Sequence, residues 1–167
     1  MKKMVSISIK LLIFVAIIYI LYAKVEVRIF RCLGTSMDST ISNGEIIVSV
    51  KENNIKRGDI VVFNTEGSPA IKRVVGLPKE TIEIKNDGNV YIDDKVYHEN
   101  YIGSKTPKGE ISFPHTIEEN SYFLLGDNRF DSYDSRYHKV GDVNINKIRG
   151  RVVFSITRFK VVNRMNY

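Results

Sequence analysis

The feature that most limits this chain is an apolar run close to its start. Leu11 to Ala23, read as LLIFVAIIYILYA, is unbroken over 13 residues, and Met4 to Ile9 extends it with Lys10 as its one charge. About 20 mainly apolar residues suffice to cross a bilayer as a helix, so the run from Met4 is expected to be a membrane anchor rather than part of a folded core. A cleavable leader is the alternative, because Lys2 and Lys3 give the basic start that such leaders share. The exit of the run disagrees: cleavage needs small residues in an A-x-A-like pattern, and Leu21 stands where one belongs. Lys10 can snorkel to the nearer interface, and Tyr19 and Tyr22 suit the opposite one. Counting Lys and Arg leaves orientation open, with Lys2, Lys3 and Lys10 before the run and Lys24, Arg28 and Arg31 after it.

The anchor also explains the charge. A formal net charge of +6 invites a nucleic-acid partner. Residues 1–31 carry six Lys and Arg against Glu26 alone, a balance of +5, while the other 136 residues carry 19 basic and 18 acidic groups. The domain behind the anchor is therefore close to neutral and has no basic stripe with interleaved aromatics, which argues against nucleic acid. Cys32 is the one cysteine, and with three scattered histidines it leaves neither an internal disulfide nor a structural zinc site to expect.

After the anchor, short β-prone runs alternate with turn residues. Glu45 to Val50 and Ile60 to Phe63 follow Gly44 and Gly58 and read as buried strands, and Ile71 to Val75 is a third. Thr81 to Lys85 alternates with period two and turns through Asn86-Asp87-Gly88-Asn89 into Val90 to Ile92. Residues 98–120 have weak periodicity and contain Pro107, Gly109 and Pro114, so they read as a loop-rich lobe. Tyr122 to Leu125 and Arg151 to Ile156 return to strand. No helix-period run follows residue 31. The expected architecture is mainly β: a small barrel-like antiparallel domain behind one N-terminal transmembrane helix. Its parts are an anchor with flanks at 1–31, a β core at 32–80 and 121–167, and a smaller hairpin lobe at 81–120.

Candidate chemistry starts at Gly34-Thr35-Ser36-Met37, about a dozen residues beyond the anchor. A serine behind a glycine in a turn is common, and it becomes a nucleophile only with a base in reach. His98, His115 and His138 lie outside any recognisable motif and read as solvated surface residues. Lys72 stands in the middle of the apolar stretch Ala70-Ile71-Lys72-Arg73-Val74-Val75. At a pKa of about 10.4 a lysine is almost never neutral near pH 7, but burial penalises the ammonium form and yields a usable base. The plainer reading is a lysine on the solvent face of an edge strand. Likewise Gly126 to Arg136 (GDNRFDSYDSR) is either a solvated polar loop or a set of ion pairs and a hydroxyl that orient a buried lysine.

Taken together and in order, TSMDSTI (35–41), GDIVVF (58–63), IKRVVGLP (71–78) and GDNRFDSYDSR (126–136) resemble the boxes of the type I signal peptidases. The resemblance implies Ser36 as nucleophile and Lys72 as general base, and Ser132 as the serine that hydrogen-bonds the base. It implies a supporting ion pair of Asp134 with Arg136, and places Arg73 and Asp127 in the same polar network. Met37 and Ile71 match positions that line small substrate pockets. The implied activity is removal of signal peptides from secreted or surface preproteins, by a single-pass protein of the cell membrane whose catalytic domain faces outward. No cofactor or metal is implied. Three positions depart from the family boxes: Ser39 replaces a proline, Lys79 replaces a glycine, and Gly34 stands where some members place a serine that donates to the oxyanion. These departures suit a specialised member serving a few surface or pilus proteins. Two rival readings are a catalytically silent homologue that helps assemble surface polymers, and a self-cleaving repressor, which would carry a DNA-binding domain in place of the anchor.

Overall fold

A computed structural model describes residues 10, 12–14, 26–157 and 160–162. Nearly all of the expected anchor lies outside these residues. Among the described residues, no helix is long and apolar enough to cross a membrane.

Among the described residues twelve strands follow in chain order: β1 (Val27–Arg31), β2 (Ile46–Val50), β3 (Ile60–Asn64), β4 (Pro69–Gly76), β5 (Thr81–Ile84), β6 (Val90–Ile92), β7 (Lys95–Tyr97), β8 (His115–Thr116), β9 (Ser121–Leu125), β10 (Val143–Asn144), β11 (Ile148–Ser155) and β12 (Lys160–Val161). They form two antiparallel sheets. The larger runs β1-β2-β11-β3-β4-β9-β10, with β12 also paired to β11, and curls into a half-barrel. The smaller runs β7-β6-β5-β8. The mainly β architecture expected from the sequence is thus present.

Composition places the strands. In β3 the run Ile-Val-Val-Phe is buried on both faces, as is the whole of β9, so the two flank β4 in the interior. Period-two strands have one wet face: in β5 Ile82 and Ile84 are buried while Thr81 and Glu83 are half-exposed. Strand β1 differs from expectation, since its residues fall in what reads as the flank of the anchor. It pairs with β2 from Val27↔Val50 to Arg31↔Ile46, leaving Val27 and Ile29 exposed.

Among the described residues, three apolar clusters fill the fold. One lies between β3, β4 and the segment carrying Cys32, Met37 and Ile41. On the opposite face of β3 and β4, Val61, Phe63 and Val74 pack with Tyr122, Leu124 and Val143. The third holds the small sheet against Val75, Phe123 and Leu125.

Candidate active site

Strand β4 sets up the site by being paired along only part of one edge. β3 accompanies it from Pro69 to Arg73, but on the other side β9 joins only at Arg73, opposite Leu125. The edge from Pro69 to Lys72 therefore has no strand partner on that side among the described residues. Such an edge is a template for an extended peptide.

Lys72 sits at the end of this open edge, 5% exposed, with its Nζ donating to Ser36 Oγ at 2.6 Å. Burial pushes its pKa below the ordinary lysine value, and the negative charge of Asp134 opposes that shift. The plainer reading of Lys72, a solvent-facing lysine, is overturned. It lies within a strand whose residues from Ile71 to Gly76 are all buried.

Ser36 is presented by a tight turn in which the Asp38 N–H donates to Thr35 O and the Ile41 N–H to Met37 O. The preceding Gly34 has φ +92°, in the left-handed region that disfavours a Cβ. A second loop, the one after β9, clamps this turn. The Asn128 N–H donates to Ser36 O at 3.1 Å, Asn128 Nδ2 to Thr35 O at 3.2 Å, Thr40 Oγ1 to Asp127 Oδ2 at 2.5 Å, and Thr35 Oγ1 to Asp131. Gly126 lies where the two loops touch: a Cβ there would come within 2.2 Å of Ser132 Oγ and 2.5 Å of Ser36 O. The Ser36 N–H donates to no described residue.

Buried arginines hold the second loop in shape. Arg73 makes a two-pronged contact with Asp127, at 2.8 and 2.6 Å, and donates to Gly58 O. Arg136 grips Asp134 in the same way, at 2.8 Å for each prong. Asp134 Oδ2 also accepts from the Gly126 N–H and from Ser132 Oγ at 2.6 Å. Ser132 is thus oriented toward Asp134, and its expected bond to Lys72 is not among the contacts of the described residues. All the expected polar residues come together around Ser36 and Lys72.

Two further residues belong to this network and escape sequence reasoning. Glu99 accepts from Arg129 Nη1 at 2.8 Å in an ion pair with both side chains under 5% exposed. The Tyr101 ring lies 4.1 Å from the Arg73 guanidinium carbon. Both come from the loop-rich lobe, where nothing in the sequence marks them.

A cleft of about 280 Å³ opens beside the pair, walled by Phe30, Cys32, Leu33, Val62 and Ile71. Burial pushes the Cys32 thiol up, so it stays protonated and serves as an apolar wall. Ile71 lines this cleft. Met37 does not: it is wholly buried in the core with Ile41 and Ile47. Of the three histidines, His98 and His138 are exposed, whereas His115 is half-buried, with Nε2 2.9 Å from Asp142 Oδ1 and its ring against Phe123. The reading of His115 as a solvated residue is therefore corrected.

Residues 5–157 match the family described as signal peptidase, peptidase S26. The chain is 34% identical over 146 residues to signal peptidase I S of Bacillus subtilis, which covers 80% of this chain and 78% of that one. It is 36% identical over 115 residues to a signal peptidase I of Bacillus amyloliquefaciens, spanning 62% of each, so less than two thirds of that relative's length. The crystal structure of a signal peptidase I from Enterococcus faecalis superposes with a TM-score of 0.50 at 32% identity, covering 59% of this chain and 97% of that one.

Proposed function

The chain belongs to the signal peptidase family, peptidase S26, and from that premise we propose that it is a membrane-anchored serine endopeptidase that removes signal peptides from secreted preproteins. The observation that carries this reading is the 2.6 Å approach of Lys72 Nζ to Ser36 Oγ at an unpaired strand edge.

The substrate's extended segment adds alongside Pro69 to Lys72, with main-chain hydrogen bonds for affinity and the cleft at Ile71 for small side chains. Neutral Lys72 accepts the Ser36 proton as Oγ attacks the scissile carbonyl. The tetrahedral oxyanion takes a hydrogen bond from the Ser36 N–H. Asp134 favours the ammonium that Lys72 has now become. That ammonium passes its proton to the leaving amine, and the lysine, neutral again, activates the water that releases the acyl-enzyme. Ser132, Asp134 and Arg136 hold the loop behind the lysine, and Arg73 with Asp127 holds it to the nucleophile's turn. The N-terminal apolar run tethers the domain on the outer face of the membrane, near the point where a preprotein's own apolar segment ends, and so supplies proximity.

The test is to incubate the detergent-solubilised full chain with candidate preproteins, beside Ser36→Ala and Lys72→Ala. Cleavage by the wild type alone supports the reading. A wild type that cleaves nothing, or a variant that cleaves as well, overturns it.

Gly126→Ala probes the clamp between the two loops. The added Cβ must displace Ser132 or the Ser36 carbonyl, and a nucleophile moved by about 1 Å loses on the order of 10²-fold in rate. The loss should appear in kcat with KM little changed, because the cleft walls are untouched.

A further inference from the structure

We propose that a second cavity, on the opposite face of β4 from the cleft, is a specificity subsite for the fourth residue before the scissile bond, and that it favours a large apolar side chain there. The proposal rests on the reading of the open β4 edge as the substrate's docking strand. Successive side chains of a strand point to opposite faces. On β4, Ile71 is paired with Val62 and faces the cluster that includes Cys32. Ala70 is paired with Phe63 and faces the other cluster, with Val140 and Val143. A peptide lying along this edge must therefore send its first and third side chains before the cut toward the Ile71 face, and its second and fourth toward the Ala70 face.

That face is not flat. A cavity of about 490 Å³ lies there, lined by Phe63, Ala70, Val140 and Val143, with Tyr133 on one wall. Ala70 lines both this cavity and the cleft, so the two spaces meet at the open edge. Tyr133 directly follows Ser132, is 52% exposed and is stacked on Tyr137 at 4.6 Å.

Spacing selects the fourth residue rather than the second. The bond to be cut lies at Ser36 and Lys72. Ala70 is two residues further along β4, about 6.6 Å, and Lys72 is not among the residues lining the cavity. The second side chain falls level with Lys72 and the fourth level with Ala70, so the first residue sits just past the open edge, where β9 joins at Arg73. Lys139 and Lys147 stand exposed at the rim, Lys139 facing Glu66 at 3.8 Å. An apolar wall beneath a basic rim accepts Leu or Phe and disfavours Lys or Arg.

The experiment uses quenched fluorescent peptides with alanine at the first and third positions before the cut, and Ala, Leu, Phe, Lys or Glu at the fourth. The full chain should cleave the Leu and Phe peptides about tenfold more efficiently than the Ala peptide. The gain should lie in KM, and the Lys peptide should fall below the Ala peptide. Val140→Phe, which fills the cavity, should erase the Leu and Phe preference while cleaving the Ala peptide as the wild type does. Lys147→Glu, at an exposed position, should reverse the ranking of the Lys and Glu peptides and decides the matter if Val140→Phe does not fold. Cleavage with a flat profile at the fourth position overturns the subsite alone. So does a profile that neither variant changes. If the wild type cleaves no peptide in a Ser36-dependent way, the functional reading fails and the subsite with it.

Discussion

Lys72→Met is expected to lower kcat/KM for preprotein cleavage by about 10⁴-fold, the scale on which a serine hydrolase loses activity without its base, while raising the melting temperature. The two effects have one origin. Lys72 is 5% exposed, and burial is the largest cause of its lowered pKa. A folded-state pKa below the unfolded value means that the unfolded chain binds more protons between the two, so stability rises with pH across that window. Below the folded pKa the buried ammonium is a standing cost, which an apolar side chain of similar length avoids. Catalysis needs the same neutral amine, so wild-type kcat/KM should fall as pH drops through the Lys72 pKa. Calorimetry and a pH–rate profile check both halves. A methionine variant no more stable than the wild type near neutral pH, or wild-type activity that does not fall as pH drops below the ordinary lysine range, would show that burial of Lys72 does not supply the base.

The strands that sequence reading finds are those whose burial leaves a local pattern. β3 and β9 are continuous apolar runs because both faces are covered, and β5 alternates because one face is wet. β1 escapes because its basic residues read as the anchor's flank, and because Ile29 points outward. β8, β10 and β12 have two residues each, too few for any period. In the loop-rich lobe, residues 98–120, order comes from distant partners. Glu99 is fixed by Arg129, and the Ile117 carbonyl accepts from the Lys79 N–H.

The same division runs through the site. Lys72 is suspicious in sequence because it interrupts an apolar strand, yet period alone equally allows a solvent face. Only the order of four boxes, known from a family, pairs it with Ser36, since no local rule brings together residues 36 apart. Glu99 and Tyr101 are illegible for a plainer reason: a buried arginine requires a counter-charge, but the chain can supply it from any loop that passes. Met37 shows the converse error. Adjacency to the nucleophile suggests the substrate pocket, but Met37 follows Ser36 into a tight turn and points down into the core.

Asp127→Ala is expected to cost about 3–5 kcal/mol, the penalty for stranding one member of a buried ion pair. The side chains of Arg73 and Asp127 are 1% and 0% exposed, and their contact joins β4 to the loop after β9. Removing the carboxylate leaves the Arg73 guanidinium buried without its counter-charge, beside neutral groups that include Gly58 O, Thr40 Oγ1 and the Tyr101 ring. It also removes the acceptor of the Thr40 hydroxyl, which ties the nucleophile's turn to that loop. The melting temperature should fall by roughly 6–20 °C for a chain of this size. Activity below the new melting temperature should fall as well, because the turn carrying Ser36 loses one of its clamps. The double variant Arg73→Met, Asp127→Leu separates the two losses. It removes both charges and keeps volume, and buried pairs replaced in this way lose little stability. It should recover most of the melting temperature and little of the activity, since the Thr40 tether is still missing. If the double variant also recovers cleavage, the pair serves the fold alone and the tether to Thr40 does not position the nucleophile.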